Sequence, residues 1–151
     1  MPAFAVKHLA YERGPLIKIM KRVKAQPYSF TSKEPEASNA IGHYVFVIEV
    51  RKERGETTYW LGYKYRACDK VKPAGGGLWD SEFKFKNIAS QPPDGAYFEN
   101  PVQITDHRIC NWLTTKQPGM AEIPPTLVPV LDELFPPAAR MFANPSSSGT
   151  R

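Results

Sequence analysis

The chain has 151 residues, a net charge of +5, 42% apolar residues and 8 Phe, 7 Tyr and 3 Trp, enough for one domain whose core needs no disulfides. Its 15 prolines, about double the usual share, argue against an all-helical bundle. No apolar run approaches the roughly 18 residues of a membrane span, and Lys7, His8, Glu12 and Arg13 interrupt any secretory h-region, so a cytoplasmic, reducing location is expected.

Residues 3–9 alternate apolar side chains and read as a short strand. After Gly14-Pro15, the apolar positions Leu16, Ile19, Met20 and Val23 have helical spacing, with Lys18, Lys21, Arg22 and Lys24 on the other face. Pro15 suits the first turn of such a helix, although Ile17 and Val23 leave a strand open. Pro27 ends this element. Residues 31–40 are polar and read as a mobile loop.

Residues 44–50 and 59–67 read as two long strands joined by the charged turn at 51–56. On simple alternation, one face of the second strand carries Tyr59, Leu61, Tyr63 and Tyr65. The other carries Trp60, Gly62, Lys64, Arg66 and Cys68. A glycine-rich loop at 73–77 leads to Trp79, which either closes over a ligand or anchors the loop. The loop lacks the Lys-Ser/Thr of a phosphate-binding loop and the spacing of a dinucleotide fingerprint. Residues 82–86 alternate as a half-buried strand, with Lys84 and Lys86 on one face and Phe83 and Phe85 on the other.

Further elements are expected at 97–104, as one strand broken by Asn100-Pro101, and at 106–113, as a helix capped by Thr105 or Asp106. A last helix is expected over 124–135, with Leu127, Val130, Leu131, Leu134 and Phe135 on one side, stopped by Pro136-Pro137. The expected fold is α+β: a curled, mainly antiparallel sheet or small open barrel with two or three short helices. It forms one domain over 1–143, followed by a disordered tail at 144–151.

Charge is unevenly spread. Residues 1–72 hold 14 Lys/Arg against 7 Asp/Glu, and residues 73–151 hold 6 against 8. A basic half suits an anionic partner such as nucleic acid, or is simply a solvated surface. Unstacked bases need flat rings to stack on and cations for the phosphates. Trp60, Tyr63 and Trp79 are the stacking candidates. Lys18, Lys21, Arg22, Lys24, Lys64, Arg66, Lys84 and Lys86 are the phosphate candidates.

No cofactor motif appears. His8, His43 and His107 have no ligand spacing, so no metal site is expected. Cys68 and Cys110 lack C-x-x-C spacing and are expected to be buried free thiols, a disulfide being the alternative. Glu49-Val50-Arg51-Lys52 resembles the Glu-x-Lys of metal-dependent nucleases. However, Arg51 stands at the lysine position, and the first Asp, Asp69, lies downstream.

Residues 44–50 with Tyr59-Trp60-Leu61-Gly62-Tyr63-Lys64-Tyr65, then Phe83-Lys84-Phe85, then Tyr97-Phe98-Glu99-Asn100-Pro101-Val102 resemble the central hairpin, next strand and closing segment of the PUA-like superfamily, in particular its EVE and ASCH branches. Of the ASCH signature G-x-K-x-x-E-x-R, Lys21 is present, and Ile19, Lys24 and Gln26 replace the other positions. The resemblance implies a small curled barrel that reads nucleic acid through a modified or unstacked base. The leading expectation, which rests on the basic half and on the mixed aromatic and basic strand, is a non-enzymatic nucleic-acid-binding module. A protein-interaction or small-ligand accessory protein of bacterial or phage type is the alternative, and a nuclease comes third.

Overall fold

The structure, a computed structural model, describes residues 2–32, 34–73, 83–115 and 119–142. In chain order its elements are β1 (Ala3–Leu9), α1 (Ala10–Arg13), a 3₁₀ turn (Leu16–Ile19) running into α2 (Met20–Ala25), β2 (Tyr28–Thr31), α3 (Glu34–Asn39), β3 (Tyr44–Glu53), β4 (Glu56–Val71), β5 (Phe85–Ala89), β6 (Gly95–Gln103), α4 (His107–Thr115), β7 (Met120–Glu122), α5 (Val128–Asp132) and β8 (Arg140–Met141). The strands form one curled sheet in the order β2-β5-β4-β3-β1-β7, with β6 also paired to β4 and β8 to β6. Only β1 and β3 run parallel among these pairs, and the whole is an α+β half-barrel, mostly antiparallel. Its two ends meet where the Met120 N–H of β7 donates to Thr31 Oγ1 of β2 at 3.3 Å.

The central strand β3 is buried on both faces, which is why residues 45–50 read as an unbroken apolar run apart from Glu49. Phe46 and Ile48 pack with Tyr59, Leu61 and Phe98 under Ile109 and Leu113 of α4 and Leu131 and Phe135 of the C-terminal segment. Val45 and Val47 pack with Phe4, Val6, Tyr63 and Tyr65 under Leu16, Met20 and Val23. The apolar stripe of residues 16–23 is therefore the lid of the second core, and its basic side chains are left outside.

The β3–β4 hairpin turns on two residues, Arg54 (φ 53°) and Gly55 (φ 78°). Two positive φ values match the twist of the flanking strands. The charged segment 51–56, expected as a turn, is therefore mostly strand.

Alternation along β4 does not survive Gly62. Val47 lies opposite Tyr63 while Ile48 lies opposite Leu61, so Gly62 is an extra residue on its strand. Such a bulge flips the faces that follow it. Tyr59 and Leu61 accordingly enter the first core, and Tyr63 and Tyr65 the second. The single face expected to hold all four is divided between the two sides of the sheet.

Other expectations shift for local reasons. Residues 34–39, expected as loop, form α3: Ser38 donates to Glu34 Oε1 at 2.8 Å, and Lys70 Nζ reaches Glu34 Oε2 at 2.6 Å and Ser38 at 2.9 Å. The strand expected at 82–86 is β5, moved toward the C-terminus. The strand expected at 97–104 is β6, which starts at Gly95 and ends at Gln103, and its pairing with β4 jumps from Tyr97 to Val102 across Asn100-Pro101. The expected helix at 124–135 contracts to α5, because Pro129 has no N–H to donate to the Pro125 carbonyl and so sits in the first turn of a helix that starts only at Val128. The glycine run at 75–77, Trp79 and the tail at 144–151 lie outside the described residues.

The helix expected at 106–113 is α4, and Asp106 caps it: Oδ1 accepts the N–H of Arg108 at 2.9 Å and of Ile109 at 3.4 Å. The Arg108 guanidinium and these N–H groups hold the Asp106 carboxyl down to about 2. Its folded value lies below that of an ordinary Asp, so its contribution to stability is full above about pH 4 and is lost as pH falls through about 2. Asp106→Asn keeps a cap oxygen and cannot titrate. The thermal midpoint of the native chain should exceed that of the variant at neutral pH, and the difference should shrink on acidification from about pH 4 toward pH 2. A difference that is flat with pH would show that the carboxylate charge contributes nothing.

Candidate functional site

The bulge at Gly62 decides which of the expected contact residues meet. Trp60 lies opposite Glu49, whereas Lys64 and Arg66 lie opposite Phe46 and Tyr44, on the other side of the sheet. The expected face of Trp60, Lys64 and Arg66 is thus split. Trp60 is half-buried, donates Nε1–H to Thr58 Oγ1 at 2.9 Å and carries the Arg51 guanidinium 3.9 Å above its ring. Lys64 pairs with Asp132 at 2.8 Å, and Arg66 with Asp94 at 3.4 Å. Tyr63 is 1% exposed, and its hydroxyl donates to the Tyr28 carbonyl at 2.6 Å, so its ring belongs to the core.

The helical cations behave differently. Lys24 pairs with Glu99 at 3.0 Å and lies 5.1 Å from the Tyr97 ring centroid. Lys18, Lys21 and Arg22 are exposed, and residues 16–25 contain no acid. Among the described residues no carboxylate pairs with these three.

A second group gathers where β2 and the start of β5 reach the open rim of the half-barrel. Phe30 and Phe83 stack at 5.3 Å, Arg13 sits 4.7 Å over Phe83, and Lys86 lies 4.6 Å from the Tyr28 ring and 5.7 Å from that of Phe30. Lys7, Arg13, Phe30 and Phe83 line a cleft of about 240 Å³. Lys70, Lys72, Lys84 and Phe85 line another of about 570 Å³, again with Phe83. Beneath them a cavity of about 40 Å³ is lined by Ile19, Arg13, Phe83 and His8. Ile19, buried on the inner face of the 16–25 segment, thus packs in the same place as Arg13 and Phe83. His8 donates Nε2–H to the Gly14 carbonyl at 2.7 Å, and burial holds its pKa below the usual histidine value.

Lys84 and Lys86 were legible as contact candidates, but Phe30, Arg13, Lys7, Lys70 and Lys72 were not. Their available signal was Tyr28-Ser29-Phe30-Thr31 just after Pro27, a short alternation that marks a strand bringing Phe30 to the rim.

Glu49 is fully buried, accepting the Leu16 N–H at 2.8 Å and the Arg51 side chain at 2.8 Å. It is not presented to a metal or a phosphate. Among the described residues no group of His, Cys, Asp and Glu is placed to hold a metal ion. Both cysteines are free, and Cys68, expected to be buried, is exposed: Tyr63, Tyr65 and Ala67 face the second core, so Cys68 falls on the opposite face with Lys64 and Arg66, where the pairing with β5 shifts between Ala67 and Asp69. No described helix is long and apolar enough to cross a membrane.

Fold and site together define an α+β half-barrel with a basic helix and a cationic, aromatic rim. Compared with known protein families, curated proteins and solved structures, the chain matches none.

Proposed function

We propose that this protein is a non-enzymatic nucleic-acid-binding module that holds an unstacked strand along the basic helix and the rim of the half-barrel. Two surfaces support this reading. An acid-free helical segment exposes Lys18, Lys21 and Arg22, and a rim stacks Phe30, Phe83 and Arg13 beside Lys84 and Lys72. Exposed cations laid against phosphates release the counterions of the strand, and ring or guanidinium planes accept splayed bases of any sequence. Trp60 and Tyr63 leave the proposed surface, the first because it lies opposite Glu49 beside Arg51, the second because it is core. The PUA-like resemblance, drawn from element order and the hairpin residues, belongs to the same proposal.

A fluorescently labelled single-stranded oligonucleotide titrated across a salt series tests it. Binding should be tight at low salt and weaken steeply as salt rises. Replacing Lys18, Lys21 and Arg22 together by Gln should lower the slope of log affinity against log salt by about 2, at roughly 0.7 for each phosphate no longer neutralised. These side chains are exposed, so the melting temperature should be unchanged. No binding at low salt, or an unchanged slope in the triple variant, would remove the helix from any such role.

A further inference from the structure

On the Phe46 side of the sheet, away from Trp60, a pocket of about 370 Å³ opens between β4, β6 and the chain after α5. Sites for small molecules commonly run from about 300 to 1,000 Å³. Its polar lining is Tyr44, Lys64, Asp94 and Asp132, and Phe135 and Met141 are among its apolar lining. Lys64 Nζ donates to Asp132 Oδ1 at 2.8 Å and lies 4.9 Å and 5.1 Å from the ring centroids of Phe135 and Tyr44. Tyr44 is itself fixed, its hydroxyl reaching both oxygens of Asp94 at 2.9 Å. Asp132 Oδ2 has no hydrogen bond among the described residues, and the Asp132 side chain is 45% exposed. Met141, 72% exposed, is the most exposed large apolar residue among the described residues and lines the pocket. A thioether there adapts to an apolar guest.

The pocket therefore offers a fixed donor, Lys64 Nζ, beside a spare acceptor, Asp132 Oδ2, between two aromatic rings. We infer that it binds a small planar heterocycle with an acceptor atom next to an N–H, as on the edge of a nucleobase. The ring's carbonyl or ring nitrogen accepts from Lys64, its N–H donates to Asp132, and its faces lie against Tyr44 and Phe135. The heterocycle is either a free nucleoside or a base of the bound strand. Only the second source rests on the strand-binding proposal.

Uridine and 3-methyluridine, which lacks the N–H, are titrated against the full chain by calorimetry and by amide NMR. Uridine should shift Gly95, Ala96 and Ala139, which line the pocket. The methylated nucleoside should bind about tenfold more weakly, since it has no donor for Asp132 Oδ2 and sets a methyl group against it. Asp132→Asn keeps an oxygen for Lys64 but replaces the spare acceptor with a donor. It should weaken uridine about tenfold and spare cytidine, whose adjacent O2 and N3 are both acceptors. Oligo-uridine and oligo-cytidine repeat the comparison for a strand. If only the oligonucleotides discriminate, the base comes from a strand. If the nucleosides do, the pocket takes free ligand, and this holds even if the triple helix variant shows no strand binding. Should neither uridine nor oligo-uridine respond to N-methylation or to Asp132→Asn, the pocket has no such ligand.

Discussion

Gly95→Ala should lower stability by about 3–5 kcal/mol, among the largest effects expected of one methyl group in this chain. Gly95 opens β6 with φ at +155°, a conformation that side chains rarely tolerate. A Cβ there would lie 2.1 Å from the Lys64 carbonyl oxygen and 2.8 Å from the Tyr65 Cα. Both are backbone atoms of β4, so no rotamer change relieves the overlap. Relief requires β6 to pull away from β4, and β8 is tied to the same place through the Phe142 N–H, which donates to the Gly95 carbonyl at 3.2 Å. Gly62→Ala is the internal control. Its Cβ would meet the end of the Leu16 side chain at 2.5 Å, which can turn aside, and its cost should be about 1–2 kcal/mol. Urea denaturation of the two variants measures both values. A Gly95→Ala loss below that of Gly62→Ala would mean that the β4–β6 approach is not as tight as described.

The two glycines also mark how far the fold was legible. Periodicity carried the hairpin, the first strand, the helix after Pro15 and the capped helix after Asp106, because each is set by local pattern and local caps. It did not carry the face assignment of β4. A bulge is one residue long and depends on the partner strand's register, which no single-strand pattern contains. Gly62 was visible as a glycine in a strand, a known mark of bulges, yet the chain alone does not say on which side the extra residue falls. The same lack of long-range information hid β7 and β8, which are too short to show alternation and exist because β1 and β6 offer them edges.

The candidate surface was legible only in part for a related reason. Cations are visible in a sequence, but their partners are not. On their aromatic-rich strand, Lys64 and Arg66 look as free as Lys18 and Lys21, and their acids, Asp132 and Asp94, come from segments 68 and 28 residues away. Helical spacing predicted the exposure of Lys18, Lys21 and Arg22, since it needs no knowledge of the rest of the chain. Phe30 was hidden because β2 is only four residues long.

Glu49 shows what a motif resemblance loses when burial is known, and it yields the second large effect. Glu49→Ala should cost about 3 kcal/mol. The side chain is 0% exposed; Oε2 accepts the Leu16 N–H at 2.8 Å, and Oε1 accepts Arg51 Nε at 2.9 Å and Nη2 at 2.8 Å. Removing it leaves an N–H without an acceptor at the start of the 3₁₀ turn and a guanidinium without its counter-charge. Breaking a buried pair typically costs about 3–5 kcal/mol. Arg51 is 31% exposed, so water recovers part of that loss and the lower end applies. Glu49→Gln keeps the volume and an acceptor for Leu16 and should cost only about 1–2 kcal/mol. Because Arg51 also rests on Trp60, indole fluorescence should move in the Ala variant more than in the Gln variant. Oligonucleotide affinity of the folded Gln variant should stay within about twofold of the native chain, since the carboxylate faces no surface. Equal stability losses for Ala and Gln would show that the charge, and not the acceptor for Leu16, is what fastens the basic helix to the hairpin.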